Sequence, residues 1–310
     1  AALIRATREW GGQGFQGRAF GWLEGGRGLV SALLGTLGLW IFAEGMSDSE
    51  VVTNSSRNSA FQLVVLLNCT LTFLVGVLTW FTIPRSLTRI EDRSNIRIRD
   101  VREALNNVMV WLQGAMILFA YVCYKITDDY SLYAHQVLNF NEVESAGVGS
   151  AALYLRPVFA LFAGYLADRF TGSKVLVWCF ALMTVTSLFV ASGWLNTSVF
   201  MAMFFLAFAL VGIYGIRGIY FAVMGESGIP LLATGAAVGI VSVLGYAPDV
   251  FASPLMGYFL DRYEGVQGHQ YVFMLSGISA SIGLVISLLF RRLSVKRRAL
   301  INADEAAQSA

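Results

Sequence analysis

The chain has 310 residues, 56% of them hydrophobic and 14% charged, with a formal net charge of only +2. That balance lies outside the range of ordinary soluble domains and marks an integral membrane protein, and the near-neutral total makes no electrostatic case for nucleic acid or an acidic partner. Cys69, Cys123 and Cys179 all sit inside apolar runs, so they read as small packing residues rather than as a disulfide framework or a zinc site.

The opening AALIRATREW reads as the end of an apolar segment entering a basic loop, not as a signal peptide, and so predicts a further segment upstream. Runs of about 20 apolar residues, the length that crosses a hydrocarbon core of ~30 Å, then recur near 19–43, 60–83, 106–127, 146–167, 174–193, 198–224, 231–257 and 270–290. Lipid offers backbone groups no partners, and these runs are twice the length of a barrel strand, so all are predicted helices. The predicted fold class is an all-α, polytopic transmembrane bundle with about eight spans and both termini on one side.

Orientation follows from lysine and arginine in alternate loops. One side receives Arg5, Arg8 and Arg18, the arginines between Arg85 and Arg102, then Arg169, Lys174, Arg217 and the Arg291–Arg298 cluster; the other receives Arg57, Lys125 and Arg262. Seventeen against three assigns both termini and the 84–105 linker to the cytoplasm, in a plasma membrane or a bacterial inner membrane. Cysteines introduced near Ser49 and Ser192 are therefore expected to react with an impermeant thiol reagent added outside. One at Ser94 is expected to stay unlabelled in intact cells, and labelling there would reverse the assignment.

The arginine-rich linker is the only long charged connection, and it divides the chain into 1–83 with two spans, 106–290 with six, and a tail at 291–310. In the gap between two later spans lies GYLADRFTGSK, Gly164 to Lys174, a compact charged clasp that returns in part as GYFLDR, Gly257 to Arg262.

Six helices after a basic cytoplasmic linker resemble one half of a twelve-helix transporter of the major facilitator superfamily. The clasp carries the resemblance, since Gly164, Asp168, Arg169, Gly172 and Lys174 match that family's cytoplasmic signature of a glycine, a spaced aspartate and arginine, and a glycine followed by basic residues. One departure is that two residues, Phe170 and Thr171, stand before Gly172 where the family usually has one. The resemblance implies that the present spans are the family's last eight, with the first four absent, and that the full-length protein works as a monomer.

Internal symmetry points the same way. RAFGWLEGGRGLVSALLG from Arg18 and GESGIPLLATGAAVGIVSVLG from Gly225 both pass from a cytoplasmic loop into a glycine-rich helix, with small residues four apart at Gly21/Gly25 and Gly235/Gly239. Such spacing permits close helix approach in lipid, and equivalent helices are expected of parallel halves. The GYFLDR echo fits an inverted three-helix repeat or chance at a helix end.

Asp168, at a helix end, can accept hydrogen bonds from free N–H groups at a neighbouring helix N-terminus, where the dipole also favours an anion. The resemblance implies that this neighbour is the helix beginning near Gly21, and that Gly164, Asp168, Arg169, Gly172 and Lys174, with Glu226 pairing Arg169 or Lys174, form a cytoplasmic gate. Without the resemblance, a solvated basic loop is the simpler reading.

Ionisable residues at membrane depth are costly and face a cavity or a partner. At ~1.5 Å per residue from the cytoplasmic helix ends, Arg27 and Arg217 lie roughly 10–12 Å deep, Arg156 about 18 Å, Asp249 about 27 Å and Lys125 about 30 Å. Arg156 is nearest the midplane and precedes Pro157, which can kink its helix. It reads as a buried anion site or as half of an Arg–Asp pair with Asp249. Asp249, beside Pro248, is the candidate proton carrier, with counter-ion and kink-filling roles as alternatives. Tyr121, Tyr124 and Lys125 line a cavity or belong to an interfacial aromatic belt, which Tyr130 and Tyr133 fit well. Glu24 and Arg27, three apart, read as a mutual pair.

No Gly-x4-Gly-Lys-Ser/Thr loop is present, so ATP-driven pumping is not expected. His135 and His269 lack metal-ligand spacing. Asn54-Ser55-Ser56 and Asn196-Thr197-Ser198 fit the glycosylation pattern, which matters only in a eukaryotic host. The sequence thus predicts a secondary transporter, not an enzyme, that moves a small organic anion by alternating access as a proton symporter and has no cofactor or metal. Its substrate site is expected at Arg156, Tyr121, Tyr124, Lys125 and Arg217. A non-transporting sensor or enzyme on a transporter scaffold, and a transporter of neutral sugars or drugs, are the alternatives.

Overall fold

The computed structural model describes residues 2–12, 14–47, 54–82, 98–194, 198–229 and 234–308. Those residues form α1 (Ala2–Gly11), α2 (Gln16–Ser47), α3 (Asn54–Thr82), α4 (Ile98–Asn106), α5 (Val108–Ile126), α6 (Tyr130–Gln136), α7 (Glu142–Phe170), α8 (Gly172–Ala191), α9 (Val199–Ile219), α10 (Thr234–Gly245), α11 (Pro248–Arg262) and α12 (Val266–Gln308). Most of the linker, at 84–97, and the sites at Ser49, Ser94 and Asn196 lie outside the described residues.

Polar residues punctuate the apolar runs and start the helices. Asn107 accepts from the Met109 N–H at 3.0 Å, Ser198 from the Met201 N–H at 3.4 Å, and Asn141 forms a reciprocal capping box with Glu144. Each cap satisfies donors that lipid would leave bare. Among the described residues seven segments are long and apolar enough to cross a membrane: Val65–Thr82, Val108–Gln136, Gly147–Phe170, Gly172–Ala191, Val199–Ile219, Thr234–Arg262 and Val266–Arg297. The predicted 19–43 span falls within the 32-residue α2, which is not among the seven.

Two spans are interrupted where the sequence predicted one helix each or a loop. After α5 a 3-10 turn, Thr127–Asp129, leads into the short α6. This turn carries Tyr130 and Tyr133 inward, each 2% exposed against Phe273, so they are core residues and not an interfacial belt. The 231–257 span breaks at Tyr246–Ala247, between α10 and α11, and Pro248 takes the first turn of α11, where its missing N–H costs nothing. Pro157 and Pro254 lie inside α7 and α11 without ending them.

Ala1–Leu29 and Ile96–Ala310 form one compact unit, and Val30–Asn95 forms a second. This division differs from the linker-based one because the first half of α2 packs into the six-helix set. In the first unit α12 lies against α8 and α5, α9 against α8 and α7, and α10 against α5. In the second, Phe73, Leu74, Trp80 and Phe81 are exposed along α3, as on a lipid-facing helix.

Glycines bring α2 onto α7. A Cβ at Gly17 would strike the Gly164 carbonyl oxygen, one at Gly164 would strike the Gly17 carbonyl oxygen, and one at Gly21 would lie 2.9 Å from the Ala160 oxygen. Backbone therefore touches backbone along this seam, the close approach that four-residue spacing of small side chains allows. Among the described residues, a Cβ at Gly235 or Gly239 would meet nothing within 4 Å.

Candidate functional site

Glu24 on α2 is the centre of the buried charge. Its Oε1 accepts from Arg156 Nη2 on α7 at 2.5 Å, from Arg156 Nε at 3.1 Å and from Arg217 Nε on α9 at 2.8 Å. Arg27 Nη1 lies 3.6 Å from the second carboxylate oxygen. The side chains of Glu24, Arg156 and Arg217 are 5%, 8% and 8% exposed, so the cluster is cut off from water. Gly28 makes room for it, since a Cβ there would press on the Arg156 stem at 2.9 Å.

The aromatic groups predicted for the site surround these arginines. The Arg217 guanidinium carbon sits 3.9 Å from the Tyr124 ring centroid and 5.6 Å from that of Tyr121, and Arg156 is 5.8 Å from Tyr124. Cation–π attraction in a desolvated site is worth about 2 kcal/mol or more, so the rings help to hold the cations. Arg217 Nη1 is buried and has no hydrogen-bond partner.

Asp249 forms a separate group. Tyr121 Oη donates to its Oδ2 at 3.1 Å, and Lys125 Nζ lies 3.7 Å from its Oδ1 and 3.5 Å from Asp128. Asp249 is half-exposed, unlike Glu24. The expected Arg156–Asp249 pair is therefore not formed; Arg156 pairs with Glu24, and Tyr121 stands between the two groups.

The clasp lies at the far ends of α7 and α9 and the near ends of α2 and α8. Asp168 Oδ1 accepts from the Gly17 N–H at 2.6 Å, and Oδ2 from the Arg18 N–H at 3.0 Å and the Arg18 Nε at 2.9 Å. One carboxylate thus takes two free donors and the positive end of the α2 dipole. Glu226 plays the same part for α8, accepting from the Ser173 N–H at 3.2 Å and from the Ser294 hydroxyl at 3.3 Å. Among the described residues no ion pair joins Glu226 to Arg169 or Lys174. Those cations lie over rings, Arg169 over Phe170, and Lys174 over Phe170 and Trp178. Thr171, one of the two residues standing before Gly172, has φ +115°, and Gly172 begins α8 against Val223 and Glu226.

A second contact at this end was not visible in the sequence. Arg8 on α1, 8% exposed, donates to the Thr234 hydroxyl and, at 3.2 Å, to the Ile229 carbonyl, just before and at the start of α10. Arg8 entered only as a topological charge. A cavity of about 540 Å³ opens beside it, lined by Gln16, Asp168, Arg169 and Glu226 among others.

Replacing Asp168 with asparagine keeps the shape and loses the anion, an effect of ~0.3–2 kcal/mol at a helix N-terminus. Transport by the protein is expected to fall at unchanged membrane abundance, as read by uptake and immunoblot. Unchanged uptake would count against a gating role, and lost abundance would make Asp168 a structural residue only.

A bundle of membrane-length helices with cations and a carboxylate converging between three of them defines a polytopic membrane protein of the transporter type. Residues 1–226 match the Major Facilitator Superfamily, and the chain belongs to that family. It is 25% identical over 301 residues to the inner membrane protein YqcE of Escherichia coli K12, covering 93% of this chain and 67% of the relative. To the inner membrane protein YihN of the same organism it is 25% identical over 317 residues, covering 97% and 72%. The crystal structure of a bacterial homologue of the iron transporter ferroportin in an outward-facing state shares the fold with a TM-score of 0.52 and 16% identity, over 75% of this chain and 57% of that one.

Proposed function

We propose that the protein is a secondary transporter that carries a small organic anion by alternating access, with Arg156 and Arg217 as the anion's partners. The observation that carries this reading is the convergence of two buried guanidiniums on a single carboxylate, with Arg217 Nη1 left over as an unused donor. A site that already holds one carboxylate has the geometry to hold another, because guanidinium forks match planar oxyanions. Glu24 is then the internal occupant that a substrate displaces.

Displacement would also free α2 from α7 and α9, which links binding to movement. The clasp contacts at Asp168 and Arg8 close the same end, the one assigned to the cytoplasm, as an outward-facing carrier requires. Tyr121, Tyr124 and Lys125 complete the binding surface. Half-exposed Asp249 beside Lys125 is the candidate for proton coupling in symport. The two Escherichia coli relatives named as inner membrane proteins support a bacterial-type inner membrane for this chain.

Lysine at position 156 would keep the charge and lose the two-pronged donor. Arg156→Lys is expected to weaken binding of an organic anion about tenfold, in line with the strength of a charge-assisted hydrogen bond, while leaving the fold intact. Titration of the purified variant against wild type checks this, and equal affinities would remove Arg156 from the site.

A further inference from the structure

The end of α12 nearest the clasp carries cations that the transport reading does not use, and the helix sorts them by face. Towards the bundle, Ser287 and Phe290 are 0% exposed and Ser294 is 1% exposed. Ser294 donates to Glu226 at 3.3 Å, and Arg297 donates to the Ser227 carbonyl at 2.6 Å and to the Gly228 carbonyl at 3.4 Å. Arg297 is thereby committed to the connection between α9 and α10.

Away from the bundle, α12 shows an unbroken apolar stripe. Tyr271, Met274, Ile278, Ile282, Val285 and Leu289 are 37% to 66% exposed. They recur every three or four residues, the spacing that keeps to one helix face. At ~1.5 Å per residue the stripe is about 27 Å long, close to the ~30 Å hydrocarbon core of a bilayer. The next two positions on the same face are Arg292 and Lys296, both exposed. Arg292, about 4.5 Å beyond Leu289, stands at the level of the headgroups, and Lys296, about 6 Å further, is within reach of their outer edge.

Half-buried Arg291 adds a third cation beside them. Among the described residues no ion pair joins Arg291, Arg292 or Lys296 to a carboxylate. An open groove of about 660 Å³ is lined by Leu288, Leu289, Arg291, Arg292, Val295 and Lys296 among others. The preference of basic residues for one side of the membrane accounts for their presence at this end, but not for their place on the face that continues the apolar stripe. Cations set directly beyond exposed leucines match a molecule that carries a phosphate next to acyl chains.

We propose that this face of α12 binds an anionic phospholipid, with the phosphate held by Arg292 and Lys296, Arg291 beside them, and an acyl chain along Val285, Leu288 and Leu289. A zwitterionic headgroup brings its own cation and gains less from the cluster. The bound lipid sits on the helix whose other face holds the clasp residue Glu226 through Ser294.

Delipidated protein in detergent, given equal amounts of dioleoyl phosphatidylglycerol and dioleoyl phosphatidylcholine, reports retained lipid by native mass spectrometry. Phosphatidylglycerol is expected to bind several-fold more tightly. Arg292→Gln with Lys296→Gln should weaken it about fivefold for each charge removed, the effect of one basic residue near an anionic surface. Either single change serves if the double one does not fold. The exchange Arg292→Lys with Lys296→Arg keeps both charges and should retain the lipid. Arg5→Gln with Arg262→Gln loses the same net charge elsewhere on the surface and should retain it too. Glycerol 3-phosphate, which has the phosphate without the chains, should not displace the lipid. Equal retention of the two lipids, unweakened binding in the Arg292/Lys296 glutamine variants, equal weakening in the Arg5/Arg262 variant, or displacement by glycerol 3-phosphate overturns the proposal.

Discussion

Glu24→Ala is expected to be the most damaging single charge change in the protein, costing about 3–5 kcal/mol, because it leaves two buried guanidiniums facing each other with no anion between them. Arg156→Ala should cost less, since Glu24 keeps Arg217 at 2.8 Å and Arg27 at 3.6 Å. The double change Arg156→Ala with Glu24→Ala should recover part of the loss, because only Arg217 then remains uncompensated. Thermal unfolding of the purified variants gives the order directly. Equal losses for the two single changes would mean that Glu24 is not the shared partner.

Gly164→Val should abolish transport while leaving the helices formed. Its side chain would collide with the Gly17 backbone at the tightest point of the α2–α7 seam, and the seam holds the Asp168 contact at the same level. Overpacking of this kind costs about 1–3 kcal/mol, and if that cost falls only on the state with the clasp closed, it shifts the closed-to-open ratio roughly 5- to 150-fold. A cysteine placed at Ala167, buried at this seam, reads the shift: its labelling from the clasp side should rise in Gly164→Val. Wild-type uptake and labelling would show that the seam does not limit the cycle.

Helices were legible because lipid enforces them: a run of about 20 apolar residues has few other structures open to it. The breaks inside runs were less so. Thr127, Asp128 and Asp129 end the apolar run where α5 ends, so the sequence predicted a loop there and not a 3-10 turn leading into α6, whereas across Gly245–Pro248 the run stays apolar enough for hydropathy to pass over the α10–α11 joint. The inward turn of Tyr130 and Tyr133 followed from the missed turn into α6, since an aromatic residue near a helix end reads as interfacial until the next element is known to fold back over it.

Charge partners were harder still. Depth along each helix set Arg156 at about 18 Å and Asp249 at about 27 Å, but pairing depends on azimuth and on which helices touch, and neither is carried by one helix's own sequence. Glu24 was absorbed by its i, i+3 neighbour Arg27 and so hidden from Arg156, 132 residues away. A signal was present nonetheless. Arg27, Arg156 and Arg217 are basic residues within predicted spans, and Glu24 is a carboxylate at similar depth, so charge balance alone pointed to a shared anion.

The central claim is that Arg156 and Arg217 hold an organic anion in place of Glu24. The most direct test is thermal stabilisation of the purified chain in lipid by a panel of small carboxylates and phosphate esters, set against neutral sugars of the same size. At least one anion should raise the unfolding temperature of the wild type and fail to do so in Arg156→Ala. Stabilisation by a neutral sugar, unchanged in that variant and with no anion active, would contradict the account and make the arginine–glutamate cluster a structural tie.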